Sequence, residues 1–151
     1  MGRLAVAPIL RLSAALVAAL ATASSADPMV GWWRIADEVQ STSYQAFRGL
    51  RLVYRVKFRQ EGAWLFGEGR KVAENGRPLP ASRQKPIAIV GAIAGSFVTA
   101  TLFEEGHRRD SGGEFRWTLS DDGRRLAGTF QSDAADSRGS SVAEFVGSAG
   151  E

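Results

Sequence analysis

Between Leu50 and Gln60 the sequence reads LRLVYRVKFRQ, and it alternates without a break. Leu50, Leu52, Tyr54, Val56 and Phe58 fall on one side of an extended chain, and Arg51, Val53, Arg55, Lys57 and Arg59 on the other. Successive side chains of a strand point to opposite faces, so this is a half-buried β-strand with one apolar and one basic face. A strand of that length cannot bury its apolar face alone, so the chain must supply partners.

The partners are legible by the same period. Glu61-Gly62 offers a tight turn, and Ala63 to Ala73 reads as the second arm of a hairpin. Asn75-Gly76 suits a turn with positive φ, and Pro78 and Pro80 stop the strand from continuing. Ile87, Ile89, Gly91 and Ile93 then share a face. After Gly95-Ser96 so do Val98, Ala100 and Leu102, followed by Phe115, Trp117 and Leu119. Asp121-Asp122-Gly123 forms a turn, Leu126, Gly128 and Phe130 follow, and Ser141, Ala143 and Phe145 supply a last strand.

With Gly31 to Ile35 at the front, this predicts an all-β domain of about eight antiparallel strands in up-and-down order. A sandwich is the alternative, but glycines inside strands, at Gly67, Gly69, Gly91 and Gly128, fit the sharp bends of a closed barrel. Residues Ala36 to Arg48 show no apolar alternation and are expected to form a loop or short helix across one barrel end.

Ahead of these strands, Arg3 and Arg11 flank an acid-free start, Leu12 to Ala21 is apolar, and small residues follow at Ala21-Thr22-Ala23 and Ser24-Ser25-Ala26. This is the order of a secretory signal peptide, with cleavage after Ala26 or Ala23. The expected organisation is a leader over 1–26 and one barrel domain over 27–151, exported to the periplasm or beyond, with no transmembrane segment in the mature chain. The full chain carries 19 Lys and Arg against 16 Asp and Glu, and loss of Arg3 and Arg11 brings the net charge from +3 to +1. No strong basic stripe remains for a nucleic acid.

The chain has no cysteine and one histidine. That excludes a thiol nucleophile, thiolate metal ligands and a lipid anchor on cysteine, and leaves little for His-based zinc sites or hydrolase triads. No metal or cofactor is expected. His107 lies in EEGHRRDSGG and reads as a solvated loop residue; Glu104-Glu105 and Arg108-Arg109 read as a soluble turn around it. Glu68 and Arg70 share a face with Trp64 and Phe66. A three-residue turn at Glu61-Gly62-Ala63 would aim that face inward and a two-residue turn outward, and the outward reading is favoured.

Gly31-Trp32-Trp33 fits the Gly-x-Trp signature that opens the first strand of lipocalins, and in length, strand number and order the chain resembles the wider lipocalin and avidin-like (calycin-type) barrels. The resemblance implies that Trp33 packs at the closed end of the barrel, that Trp32 faces outward or lies under a loop, and that a ligand sits in the barrel mouth. No second Thr-Asp-Tyr-like motif and no cysteine pair is present. Arg34-Ile35-Ala36-Asp37 stands where avidins carry polar ligand contacts, so biotin is not implied.

The function these features predict is non-enzymatic binding of a small apolar or amphipathic molecule. Tyr54, Val56, Phe58, Phe115, Trp117 and Phe130 are its expected wall, or else simply the core. A different class of reading is a protein-interaction module, such as an inhibitor of an envelope enzyme, acting through loops and the basic face Arg51, Arg55, Lys57 and Arg59. An isomerase or cyclase inside the barrel would need an acid–base pair, and the sequence alone presents none. A lipid-facing barrel is disfavoured by those same four cations.

Overall fold

The computed structural model describes residues 29–106 and 109–148. The leader, His107 and Arg108 lie outside the described residues. The strands are β1 (Gly31–Ser41), β2 (Arg51–Glu61), β3 (Trp64–Glu74), β4 (Arg77–Pro78), β5 (Pro86–Ala94), β6 (Phe97–Glu104), β7 (Ser111–Leu119), β8 (Arg125–Ser132) and β9 (Ser137–Gly147). All pairings are antiparallel, in the order β2-β1-β9-β8-β7-β6-β5-β3, and a β2–β3 pairing closes the ring. The result is a closed eight-stranded barrel, consistent with a calycin-type fold, with β4 a two-residue extension folded back on β3. Closure removes every free sheet edge from the ring, which a sandwich would not. Among the described residues, no helix is long and apolar enough to cross a membrane.

The two barrel ends differ because their connections differ. One end carries tight turns at Gly62-Ala63, Gly95-Ser96 and Ser120–Arg124, with Gly62, Gly95 and Gly123 all at positive φ. Beneath it the interior is filled. Trp33 is 1% exposed and meets Phe58 and Phe145 edge-on with centroids 5.8 Å away in each case. Met29 is buried there too, and its backbone N–H donates to the Gln60 side-chain oxygen at 2.7 Å. The other end carries the longer connections, including a single 3-10 turn at Gln45–Phe47 and another at Ala134–Asp136.

Cross-strand register pairs the bulky rings with glycines: Phe58 lies opposite Gly67, Trp117 opposite Gly128, and Phe130 opposite Gly139. A methyl group at Gly67 would stand 2.8 Å from the Phe58 ring, and one at Gly139 would stand 1.7 Å from the Glu38 carbonyl oxygen. Glycine lets the sheet bend tightly while the opposite ring fills the space, which is how a narrow barrel accommodates large aromatics.

Two sequence expectations need correction. β1 does not end at Ile35 but runs to Ser41, with Asp37 and Val39 both buried on the inward face. The inward series is Gly31, Trp33, Ile35, Asp37, Val39, so the alternation was present but carried a carboxylate. Likewise Glu104 is not part of a solvated turn: it is the last inward residue of β6, after Val98, Ala100 and Leu102. The β2–β3 hairpin turns through two residues, Gly62-Ala63, and Glu68 and Arg70 accordingly face outward.

Candidate functional site

At the end with longer connections the core gives way to a cavity of about 300 Å³. Its apolar wall is made by Val39, Leu52, Leu102, Phe115 and Phe130, with Phe47 and Leu50 contributed by the β1–β2 connection. Against this wall stand four polar side chains, Asp37, Tyr54, Lys71 and Glu104, each no more than 9% exposed.

Each polar group is placed by continuing an inward parity by one step. Asp37 follows Trp33 and Ile35 on β1, Lys71 follows Leu65, Gly67 and Gly69 on β3, and Glu104 follows Leu102 on β6. These three strands run in the same direction, so their C-terminal ends collect the charges at one end of the barrel. A bulge refines the placement. The β2–β3 register shifts between Val53 and Tyr54, leaving Val72 unpaired and setting Tyr54 directly opposite Lys71. Bulges of this kind re-aim side chains beside sites.

Two networks result. In the first, the Lys71 ammonium lies 2.7 Å from Glu104 Oε1 and 3.3 Å from Glu74 Oε1, so one buried cation is shared between two carboxylates. The Tyr54 hydroxyl donates to Glu104 Oε2 at 3.5 Å, a long bond. Burial, followed by the charges of Glu104 and Asp37, holds the Tyr54 hydroxyl well above its ordinary range, so it remains a proton donor. In the second network, the Trp117 indole N–H donates to the Ser141 hydroxyl at 2.9 Å, and Ser141 hydrogen-bonds to Asp37.

Asp37 is the unusual member. Burial pushes its carboxyl up to about 7, only partly opposed by the Ser141 hydrogen bond. Oδ1 of Asp37 is buried and has no hydrogen-bond partner, and no cation is paired with the carboxylate among the described residues. A buried polar atom without a partner is expensive, and native structures leave few of them. The Asp37 side chain lines the cavity, with this oxygen turned away from solvent.

The expected wall residues divide into two sets. Tyr54, Phe115 and Phe130 line the cavity. Val56, Phe58 and Trp117 are buried but do not line it: Phe58 packs on Trp33 at the filled end, and Trp117 stacks on Phe115 with centroids 4.2 Å apart. Trp117 touches the site through its hydrogen bond to Ser141 rather than through its ring. Reading apolar residues alone missed Asp37, Lys71, Glu104 and Ser141, and the apparent lack of an acid–base pair in the interior is corrected by them.

On the outer face, Trp32 is half-buried beneath Arg55, whose guanidinium carbon lies 4.6 Å from the ring centroid. Lys57 stands 6.0 Å from the same ring. Arg51 pairs with Glu38 at 3.9 Å, while Arg59 pairs with Glu61 and covers Phe66. The second tryptophan is thus packed by the cations of the neighbouring strand. Among the described residues, no group of His, Asp or Glu side chains gathers in a way that could hold a metal ion.

No protein-family model matches this chain, and no curated protein matches its sequence.

Proposed function

We propose that the chain is an exported, lipocalin-like carrier that holds one small amphipathic molecule in the barrel mouth without transforming it. The observation that carries this reading is a cavity at one barrel end with an apolar wall on one side and buried polar groups on the other, among them Asp37, whose carboxyl is paired with no cation among the described residues. Apolar walls contribute most of the affinity of such a site, and a few convergent polar groups orient the ligand. Tyr54 and Asp37 are the orienting groups; Leu52, Leu102, Phe115 and Phe130 hold the apolar body. The leader over 1–26 supports removal during export and a periplasmic or secreted mature chain.

The interaction-module reading rests on the basic face of β2. Arg51 and Arg59 on that face are engaged by Glu38 and Glu61, and Arg55 and Lys57 lie over Trp32, which gives those side chains an intramolecular role already.

The test is binding of a neutral environment-sensitive dye, N-phenyl-1-naphthylamine, to the folded protein and to Leu102→Trp, which fills the cavity. Saturable fluorescence enhancement with the parent protein, lost in a Leu102→Trp variant that still melts cooperatively, supports the carrier. Absence of dye binding to the folded parent, together with capture of a protein partner abolished by Arg55→Glu/Lys57→Glu, overturns it in favour of the interaction module.

A further inference from the structure

The charge inventory of the cavity is unbalanced. Facing Asp37 are Tyr54 from β2, Lys71 and Glu74 from β3, Glu104 from β6, and Lys85 from the connection before β5; Ser141 on β9 adds a non-ionising hydroxyl. Lys71 is taken by Glu104 and Glu74, and Lys85 is the other cation lining the cavity. Glu114, also on the rim, is paired with Arg116 at 3.5 Å. Asp37 is the acid left over. Ser141, itself held by the Trp117 indole N–H, hydrogen-bonds the Asp37 carboxyl group, which lines the cavity while its Oδ1 is buried without a partner.

A carboxylate that lines a cavity, is more than nine-tenths buried and is paired with no cation among the described residues is complementary to a donor that brings positive charge. We infer that the ligand is a cationic amphiphile, a protonated amine on an apolar body, with Asp37 as its counter-ion. This rests on the carrier reading and deepens it. The ammonium pairs with the Asp37 carboxylate and neutralises the surplus charge, while the apolar body lies along Leu52, Leu102, Phe115 and Phe130.

Binding of a cation to the ionised carboxylate is linked to loss of the Asp37 proton. The free carboxyl titrates at about 7, so the binding-competent form is nearly complete at pH 8.5 and a small minority at pH 5.5. Affinity for the ammonium therefore falls about 30-fold between those two pH values.

Calorimetry with n-octylammonium, n-octanol and n-octanoate, which share one apolar chain, tests the inference on the parent protein and on Asp37→Asn. The expected result is that n-octylammonium binds the parent at least ~10-fold more tightly than n-octanol at pH 8.5. That preference should weaken about 30-fold at pH 5.5 and vanish in Asp37→Asn. Equal or tighter binding of n-octanol or n-octanoate overturns the inference but leaves the carrier standing. So does an ammonium affinity that is flat or rises toward pH 5.5, since the ionised Asp37 would then not be its counter-ion. Failure of all three probes on the folded parent overturns the carrier reading as well. Should Asp37→Asn fail to fold, the pH profile of the parent decides alone.

Discussion

The Lys71 ammonium and the Glu104 carboxylate meet at 2.7 Å with nine-tenths of each side chain buried, joining β3 to β6 across the barrel mouth. Two ions withdrawn from water in this way gain little against a hydrophobic pair of the same size, but leaving one without the other is costly. Lys71→Met should therefore destabilise the fold by about 3 to 5 kcal/mol, and the double variant Lys71→Met/Glu104→Leu by distinctly less. Urea melts of the four proteins of the cycle check this. Additive losses would mean the pair is not coupled.

Asp37→Asn should stabilise the protein near neutrality. The folded carboxyl sits at about 7, above its ordinary value near 4, so the folded state holds a proton that the unfolded chain has released between those values. The contribution of this group to the stability of the parent is fully present below pH 4 and is lost as pH rises through 7. The full difference amounts to about 4 kcal/mol, of which asparagine, having no proton to lose, forfeits none. Melts of both proteins from pH 4 to 8 should converge at the acid end and separate toward neutrality. Parallel curves would show that Asp37 is not perturbed.

Ser141→Ala removes the hydroxyl that hydrogen-bonds Asp37 and accepts from Trp117. The Asp37 carboxyl should then titrate higher still, because the one interaction opposing its burial is gone. The Trp117 indole N–H loses its partner at the same time, at a cost of about 1 to 3 kcal/mol. Carboxyl-carbon NMR follows the first effect and denaturant melts the second.

Trp33→Ala should cost about 3 to 5 kcal/mol as a large-to-small change at the filled end of the barrel. Trp32→Ala, on the outer face beneath Arg55, should cost visibly less. Trp33→Phe should fall well short of the alanine variant, since the indole N–H it deletes has no hydrogen-bond partner. Equal losses for the two alanine variants would reverse the faces of β1.

The strands were readable wherever apolar residues marked the inward face, as at Leu52, Tyr54, Val56 and Phe58 on β2. The Asn75-Gly76 turn was readable because both residues take positive φ, at 50° and 76°. The site was harder to see for one physical reason. Charged side chains are seldom fully buried, so reading along a strand stops where the first charge appears, at Asp37 on β1 and at Glu104 on β6. Both continue the inward parity, and both lie at the same barrel end. Carrying the period past the last apolar residue would have found them, with Lys71 beyond Gly67 and Gly69. Their mutual pairing depends on register and on the bulge at Val72, which no periodicity encodes.

Carboxyl-carbon NMR titration of Asp37, with and without saturating n-octylammonium, tests the central claim most directly. A midpoint near 7 in the free protein that drops well below 7 with the probe bound would place a buried carboxylate beside a bound cation. A midpoint near 4 in the free protein, or one that saturation with the probe leaves unmoved, would contradict Asp37 as the polar anchor of the cavity.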